Sequence, residues 1–240
     1  MQSALAQIRS QIERKVPGAL RDFSPISVDV LPTRLTVFKN LSGGIPRSAL
    51  TQLVTLPGAS AGRSALLLGL LAEATAREEF CALIDAADHF DPASGQGAGV
   101  DLRRLLWVRC SGPNFKAMEQ SFKAIDIVAQ NGGFGLIAAD LSWLPETVLR
   151  KVPMTTWFRL SRVLEKASTA LLLLVSFPAA QSCAGLTLHL QGRAAASSGS
   201  PLSQSCVLES LSSRADVGRA RARKAVQSAS SQEFTLWRWA

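Results

Sequence analysis

Cysteine and histidine are scarce in this chain, and that scarcity removes whole classes of chemistry at the outset. The four cysteines, Cys81, Cys110, Cys183 and Cys206, are too scattered for a CxxC metal clip or a small disulfide framework. They read as buried thiols. The two histidines, His89 and His189, supply no clustered zinc site with those cysteines, so metal coordination by them is not expected. Long apolar runs are missing too. "ALLLLVSF" stops at Pro178 and "SALLLGLLAEA" meets Glu73, short of the ~18 to 20 apolar residues that span a bilayer. The opening "MQSALAQIRSQIERK" mixes charge with apolar positions and lacks the uninterrupted core of a secretory signal. A soluble, cytoplasmic protein is expected.

What is present is length, apolar content and positive charge. The 240 residues, 47% of them hydrophobic, suffice for one sizeable α/β domain with short appendages. The net charge of +8 favours a polyanionic partner such as nucleic acid.

Residues 2–15 predict an amphipathic helix with Leu5, Ile8 and Ile12 on one stripe, ended by "VPG". This helix and a lead-in with strand-like alternation in "ISVDVL" and "RLTVF" make up residues 1–40; the core domain is expected over 41–240. Strands and helices then alternate. "LTQLVTL", "FCALIDA", "LRRLLWVRC", "FGLIAADLS" and "TALLLLVSF" predict strands, separated by helices in "RSALLLGLLAEATAREE", "NFKAMEQSFKAIDIVAQNG" and "PETVLRKVPMTTWFRLSRVLEKAS", the last interrupted at Pro153. Residues 88–101 read as a loop. Short runs with neither face polar imply a doubly wound, mostly parallel sheet covered on both sides. Met118 with Phe122, and Trp157 with Leu160 and Leu164, read as core stripes. After Pro178, "GLTLHLQG", "CVLESLSS" and "EFTLWRW" predict antiparallel strands added at one edge.

The turn between the first core strand and its helix, "PGASAGRS", has the frame of a nucleoside-triphosphate phosphate loop, G-x-x-x-x-G-K-[ST]. In a working loop the backbone N–H groups cup phosphates, the lysine bridges the β and γ oxygens, and the hydroxyl holds magnesium. Here Pro57 replaces the first glycine and Gly58 falls one position late, while Gly62 and Ser64 stand where the pattern wants them. Arg63 keeps the charge but loses the compact shape, since a planar guanidinium fits a cramped phosphate nest poorly. The candidate nucleotide contacts are Gly58, Ser60, Ala61, Gly62, Arg63 and Ser64, with ATP and magnesium as the cofactors to consider. The run "DAADHFD" reads more simply as a polar strand exit than as a metal cluster.

Three stretches in order resemble the RecA family of bacterial recombinases: "GGIPRSALTQLV", "ALIDAADHFDPASGQGAGVDLRRLLWV" and "FGLIAAD". The likeness runs from about Leu41 to Ser176, and more faintly to "SQEFTLW". It implies a RecA-like P-loop NTPase core. No DNA-binding loop of normal RecA length and no C-terminal lobe fit in the chain. The resemblance puts Ala87 where RecA keeps the glutamate that orients the attacking water, leaving Asp88 as the only carboxylate near enough to substitute. It aligns Asp140 with the magnesium-associated aspartate, and Ser176 and Phe177 with the Asn-Gln nucleotide sensor. Compact size, a degenerate loop and a tryptophan-bearing C-terminus are similar to the ImuA group. That likeness implies service in damage-induced (SOS) mutagenesis at the nucleoid. Its implied partners are an inactive Y-family polymerase relative and an error-prone replicative-type polymerase, with RecA itself a further one.

Two surfaces remain as contact candidates. Arg214, Arg219, Arg221, Arg223 and Lys224 form a basic run suited to phosphates without base preference, or to a solvated face. In "EFTLWRWA", Trp237 and Trp239 share one face of a strand, as a partner-docking pair or as cover for a helix. The expected function is therefore a non-catalytic RecA-fold adaptor in translesion synthesis. An ATP-dependent recombinase or repair ATPase and a cell-division inhibitor with a RecA-like fold are the alternatives.

Overall fold

Strands whose two faces are both apolar must be covered from both sides, and the computed structural model places them in the middle of three layers. It describes residues 29–39, 43–56, 61–110, 112, 114–198, 207–220 and 231–238, together with residues 11 and 14, both helical. A two-stranded antiparallel ribbon, β1 (Val30–Pro32) with β2 (Gly44–Pro46), leads into an eight-stranded sheet. The sheet strands are β3 (Ala49–Thr55), β4 (Phe80–Asp85), β5 (Leu105–Arg109), β6 (Phe134–Asp140), β7 (Ala170–Val175), β8 (Leu186–Ser198), β9 (Val207–Ala220) and β10 (Ser231–Arg238). Their spatial order is β10-β9-β8-β3-β7-β6-β4-β5.

Pairing is parallel from β8 through β5, then antiparallel for β9 against β8 and for β10 against β9. The expected antiparallel addition at the C-terminal edge is thus present, and β9 alone runs against the rest. Among the residues described from 29 onward, the α-helices that flank the sheet are α1 (Thr36–Lys39), α2 (Arg63–Ala76), α3 (Pro92–Gly97), α4 (Phe115–Asn131), α5 (Glu146–Leu149) and α6 (Met154–Lys166).

Alternation along the central strands feeds two cores. Val54, Ile84, Ile137, Leu171 and Leu173 face α4 and α6, with Met118, Phe122, Trp157, Leu160 and Leu164 buried among them. Leu53, Leu83, Leu136, Leu172 and Leu174 face α2, with Leu66, Leu70 and Leu71. The two predicted helix stripes are core. Cys81, Cys110 and Cys183 are buried, and desolvation followed by the charge of Glu79 pushes the Cys81 thiol up to about 12. Cys206 lies outside the described residues. Crossovers leading from β3 to β4 and from β4 to β5 pass over the α2 side, and those returning to β6, β7 and β8 pass over the α4 side, as one hand of connection demands.

Two local expectations differ. "RLTVF" does not form a strand: Phe38 N–H donates to Leu35 at 3.0 Å, and the turn carries Val37 and Phe38 together into the α2-side core, which an extended segment would send to opposite sides. The loop from Asp88 to Asp101 contains the short helix α3, capped by Asp91, whose carboxylate accepts from Ala93 and Ser94 N–H at 3.2 and 2.9 Å. An Asp-Pro pair is the signal for such a start. Among the described residues no helix is long and apolar enough to cross a membrane. Leu5, Ile8 and Ile12 lie outside the described residues.

Candidate nucleotide site

Ligands in open α/β sheets collect beyond the carboxyl ends of strands whose following chains leave to opposite faces. This sheet has two such crevices side by side. The chain leaves β3 toward α2 and leaves β7 toward the other face; there lies a cavity of about 660 Å3 with Thr55, Gly62, Arg63, Ser142, Ser176 and Leu211 in its walls. The chain leaves β4 toward α3 and leaves β6 toward α5; there lies a second cavity of about 360 Å3, walled by Asp85, His89, Asp91, Asp140 and Leu83. Ser64 and Trp143 line both.

Gly62 precedes α2 in the left-handed conformation, φ 71°, which favours glycine, and no side chain caps the helix. Of the predicted nucleotide contacts, Ala61, Gly62, Arg63 and Ser64 are placed here; Gly58 and Ser60 lie outside the described residues. Ser213 on β9 donates its hydroxyl to the Ala61 carbonyl at 3.0 Å and so ties the sheet to the end of the loop. Arg63 donates through Nη1 to Thr55 Oγ1 at 2.7 Å, and its Cζ lies 5.6 Å from the Trp143 ring centre. Its Nε is buried without a hydrogen-bond partner. The cation is therefore turned back onto the strand from which the loop departs.

Asp140 ends β6 and accepts from Ser142 at both N–H, 3.1 Å, and hydroxyl. Burial pushes its carboxyl above the usual range, and the Ser142 hydroxyl and Arg63 pull the other way. Its register partner on β4 is Asp85, whose carboxylate accepts from His89 N–H at 3.1 Å, Phe90 N–H at 2.8 Å and Trp107 Nε1 at 3.3 Å. Asp85 thereby shapes the "DAADHFD" turn. Among the described residues no group of three or more His, Cys, Asp or Glu side chains is placed to hold a metal.

Asp88 has φ 59° and forks onto Arg109, with both oxygens at 2.6 Å from guanidinium nitrogens. That hydrogen-bonded fork holds its carboxyl below the usual range. Arg109 also lies over Trp107, at 4.7 Å. Ser176 lines the larger cavity and Phe177 packs against the α4-side core under the Arg150 guanidinium.

A magnesium–triphosphate complex asks the loop cation, the loop hydroxyl and the strand-end aspartate to converge on the same oxygens. Ser64 and Asp140 do share a cavity, and a divalent ion could be held between such a hydroxyl and carboxylate. Arg63 faces the other cavity, which Ser64 also lines and Asp140 does not. The described residues accordingly fit magnesium in part and do not fit the whole complex.

Away from the cleft, Arg214 lies on β9 with its Nε 3.0 Å from Asp216, and Arg219 pairs with Thr187 in the β8–β9 register. Arg221, Arg223, Lys224 and Trp239 lie outside the described residues; Trp237 falls within β10. Trp143 was not singled out by the sequence, because its importance comes from a turn beyond β6 that no periodicity reports.

The parallel sheet, the glycine-ended turn into α2 and the aspartate closing β6 define a protein of the phosphate-loop NTPase class. The family model of the RecA N-terminal domain matches residues 1–146, and the chain belongs to that family. It is 29% identical over 143 residues to Protein RecA of Ectopseudomonas oleovorans, covering 58% of this chain and 39% of that protein. It is likewise 29% identical over 142 residues to Protein RecA of Thermus aquaticus, covering 58% and 40%. The chain thus spans about two fifths of the length of these curated relatives.

Proposed function

We propose that this RecA-like protein, from a family concerned with DNA repair and recombination, is a non-catalytic adaptor of the ImuA kind. In this reading it acts in damage-induced mutagenesis and uses the fold as a platform for lesion-bypass polymerase partners and for DNA. The observation that carries the reading is the position of Arg63: it is hydrogen-bonded to Thr55 and lines the cavity beyond β3 and β7, whereas Asp140 lines the one beyond β4 and β6. Loss of positioning and of charge stabilisation each removes orders of magnitude from phosphoryl transfer. Asp88, held by Arg109 and made less basic, is a poor substitute for the missing glutamate.

The expected outcome is DNA-stimulated phosphate release at least ~100-fold below that of a competent RecA-type ATPase and indistinguishable from an Asp140→Ala control. Affinity capture from DNA-damaged cells should recover the inactive Y-family relative or the error-prone polymerase, and the joint change of Trp237 and Trp239 to Ala should lose it without shifting the melting temperature. Robust, Asp140-dependent turnover with self-filaments on DNA would establish the recombinase instead, and recovery of cell-division proteins alone would establish the inhibitor.

A further inference from the structure

A strand at the end of a sheet leaves one row of backbone groups unpaired, and apolar sequence there invites another chain. β5 is such a strand: it ends the sheet beside β4, and four of its five residues, Leu105, Leu106, Trp107 and Val108, are apolar. Cys110 N–H donates inward to the Asp85 carbonyl at 2.9 Å, so alternation along the strand turns the N–H and C=O groups of Trp107 and Arg109 outward. The C=O of Leu105 also faces out, while its N–H is taken by Leu102. Among the described residues no strand lies beyond this row.

The face beside the edge is open as well. α6 packs on β3 and α4 on β4 and β6, so the outermost strand is only partly covered on that side. Leu106, level with the buried Ala82, is 44% exposed, and Phe80, two residues before Ala82 on the same face, is 52% exposed. Asp126 reaches Arg159 of α6 at 3.5 Å; Ile127, about 100° further round α4, falls on the flank away from α6 and is 52% exposed. Three of the seven exposed large apolar side chains among the described residues thus gather around one sheet edge. The cations that border it are answered within the subunit, Arg103 by Asp101 at 3.0 Å, Arg104 by the Glu78 carbonyl at 2.8 Å and Arg109 by Asp88 at 2.6 Å.

We propose that β5 is the contact of a two-fold homodimer, pairing antiparallel with β5 of a second copy about Trp107. In that register each Trp107 exchanges both backbone hydrogen bonds with its counterpart, and each Arg109 N–H donates to the free Leu105 carbonyl across the axis. Leu106 meets Val108 of the partner subunit as a close, non-hydrogen-bonded pair, and the two apolar faces run together into one strip. A second copy fits because the outward row is complementary to itself and no unpaired like charges are brought together. The contact closes at two copies and leaves neither β5 edge open.

Sedimentation equilibrium of the full chain over a ~100-fold range of concentration should show monomer and dimer and nothing larger. Leu106→Lys should weaken dimerisation ~10-fold or more, with melting unchanged at a dilution where wild type and variant are both monomeric. Should that variant fail to melt cooperatively, Ile127→Lys carries the same expectation. Leu106→Cys combined with Val108→Cys should oxidise to a covalent dimer, whereas Leu106→Cys alone should not, because only the 106–108 pair is directly opposite. The proposal is overturned by a chain that stays monomeric throughout, by a dimer that neither lysine weakens, by a double-cysteine dimer that forms no cross-link, or by growth into longer chains.

Discussion

Arg63 and Asp140 show how a residue type can be retained while its environment changes what it does. A guanidinium can donate to a hydroxyl through one nitrogen and lie against a ring at once, and Arg63 does both; the compact ammonium of a lysine would not match this pair of contacts as well. Asp140 bears the cost of burial. Its carboxyl is raised, so its contribution to stability is fully present below the ordinary value near 3.8 and is lost as the pH rises through the folded value. Asp140→Asn, which keeps the acceptor for Ser142, should therefore melt higher than wild type at neutral pH, with the difference shrinking as the pH falls toward 3.8. Thermal unfolding across that range checks the sign, and a constant difference would contradict it. Asp88 works the other way: held low by Arg109, it contributes above its unfolded value and ceases to as the pH drops through its folded one. Exposure of the pair and screening keep that contribution small.

At the scale of elements, what could be read from the sequence depended on whether local pattern or distant packing decides. β4, β6 and β7 announce themselves because every position but the closing Asp85 and Asp140 is apolar or small, and α4 because Ala117, Met118, Phe122 and Ile125 recur at helical spacing. The turn at Thr36–Lys39 is settled instead by the α2-side core, which takes in both Val37 and Phe38. The phosphate-loop frame and the strand-end aspartate were legible as motifs. The contact of Trp143 with His89 was not, because it brings together residues from different strand exits. The β1–β2 ribbon offers a test of packing at this scale. A Cβ at Gly44 would stand 2.1 Å from the Leu31 carbonyl oxygen, which is backbone and cannot swing aside. Gly44→Ala should force the ribbon apart and cost about 1–3 kcal/mol, measured as a lowered denaturant midpoint with unchanged slope.

For the molecule as a whole, the excess of 26 basic over 18 acidic residues is a long-range property, and its use depends on where cations remain available. Arg214 is engaged by Asp216, so reversing its charge should change DNA affinity less than reversing Arg219, Arg221 and Arg223 together. The triple reversal should weaken binding and flatten its dependence on salt, roughly in proportion to the phosphates no longer neutralised. Unchanged affinity and slope would remove the patch as the DNA site. One hydrogen bond gives the sheet a mechanical consequence. β9 is laced to β8 and β8 to β3, and Ser213 grips the Ala61 carbonyl, so the phosphate loop is anchored to the same sheet at its entrance and near its exit. A partner that pulls on β9 or β10 would be felt as tension in the loop, and the amide exchange of Gly62 and Arg63 becomes a strain gauge for docking at the far edge of the sheet.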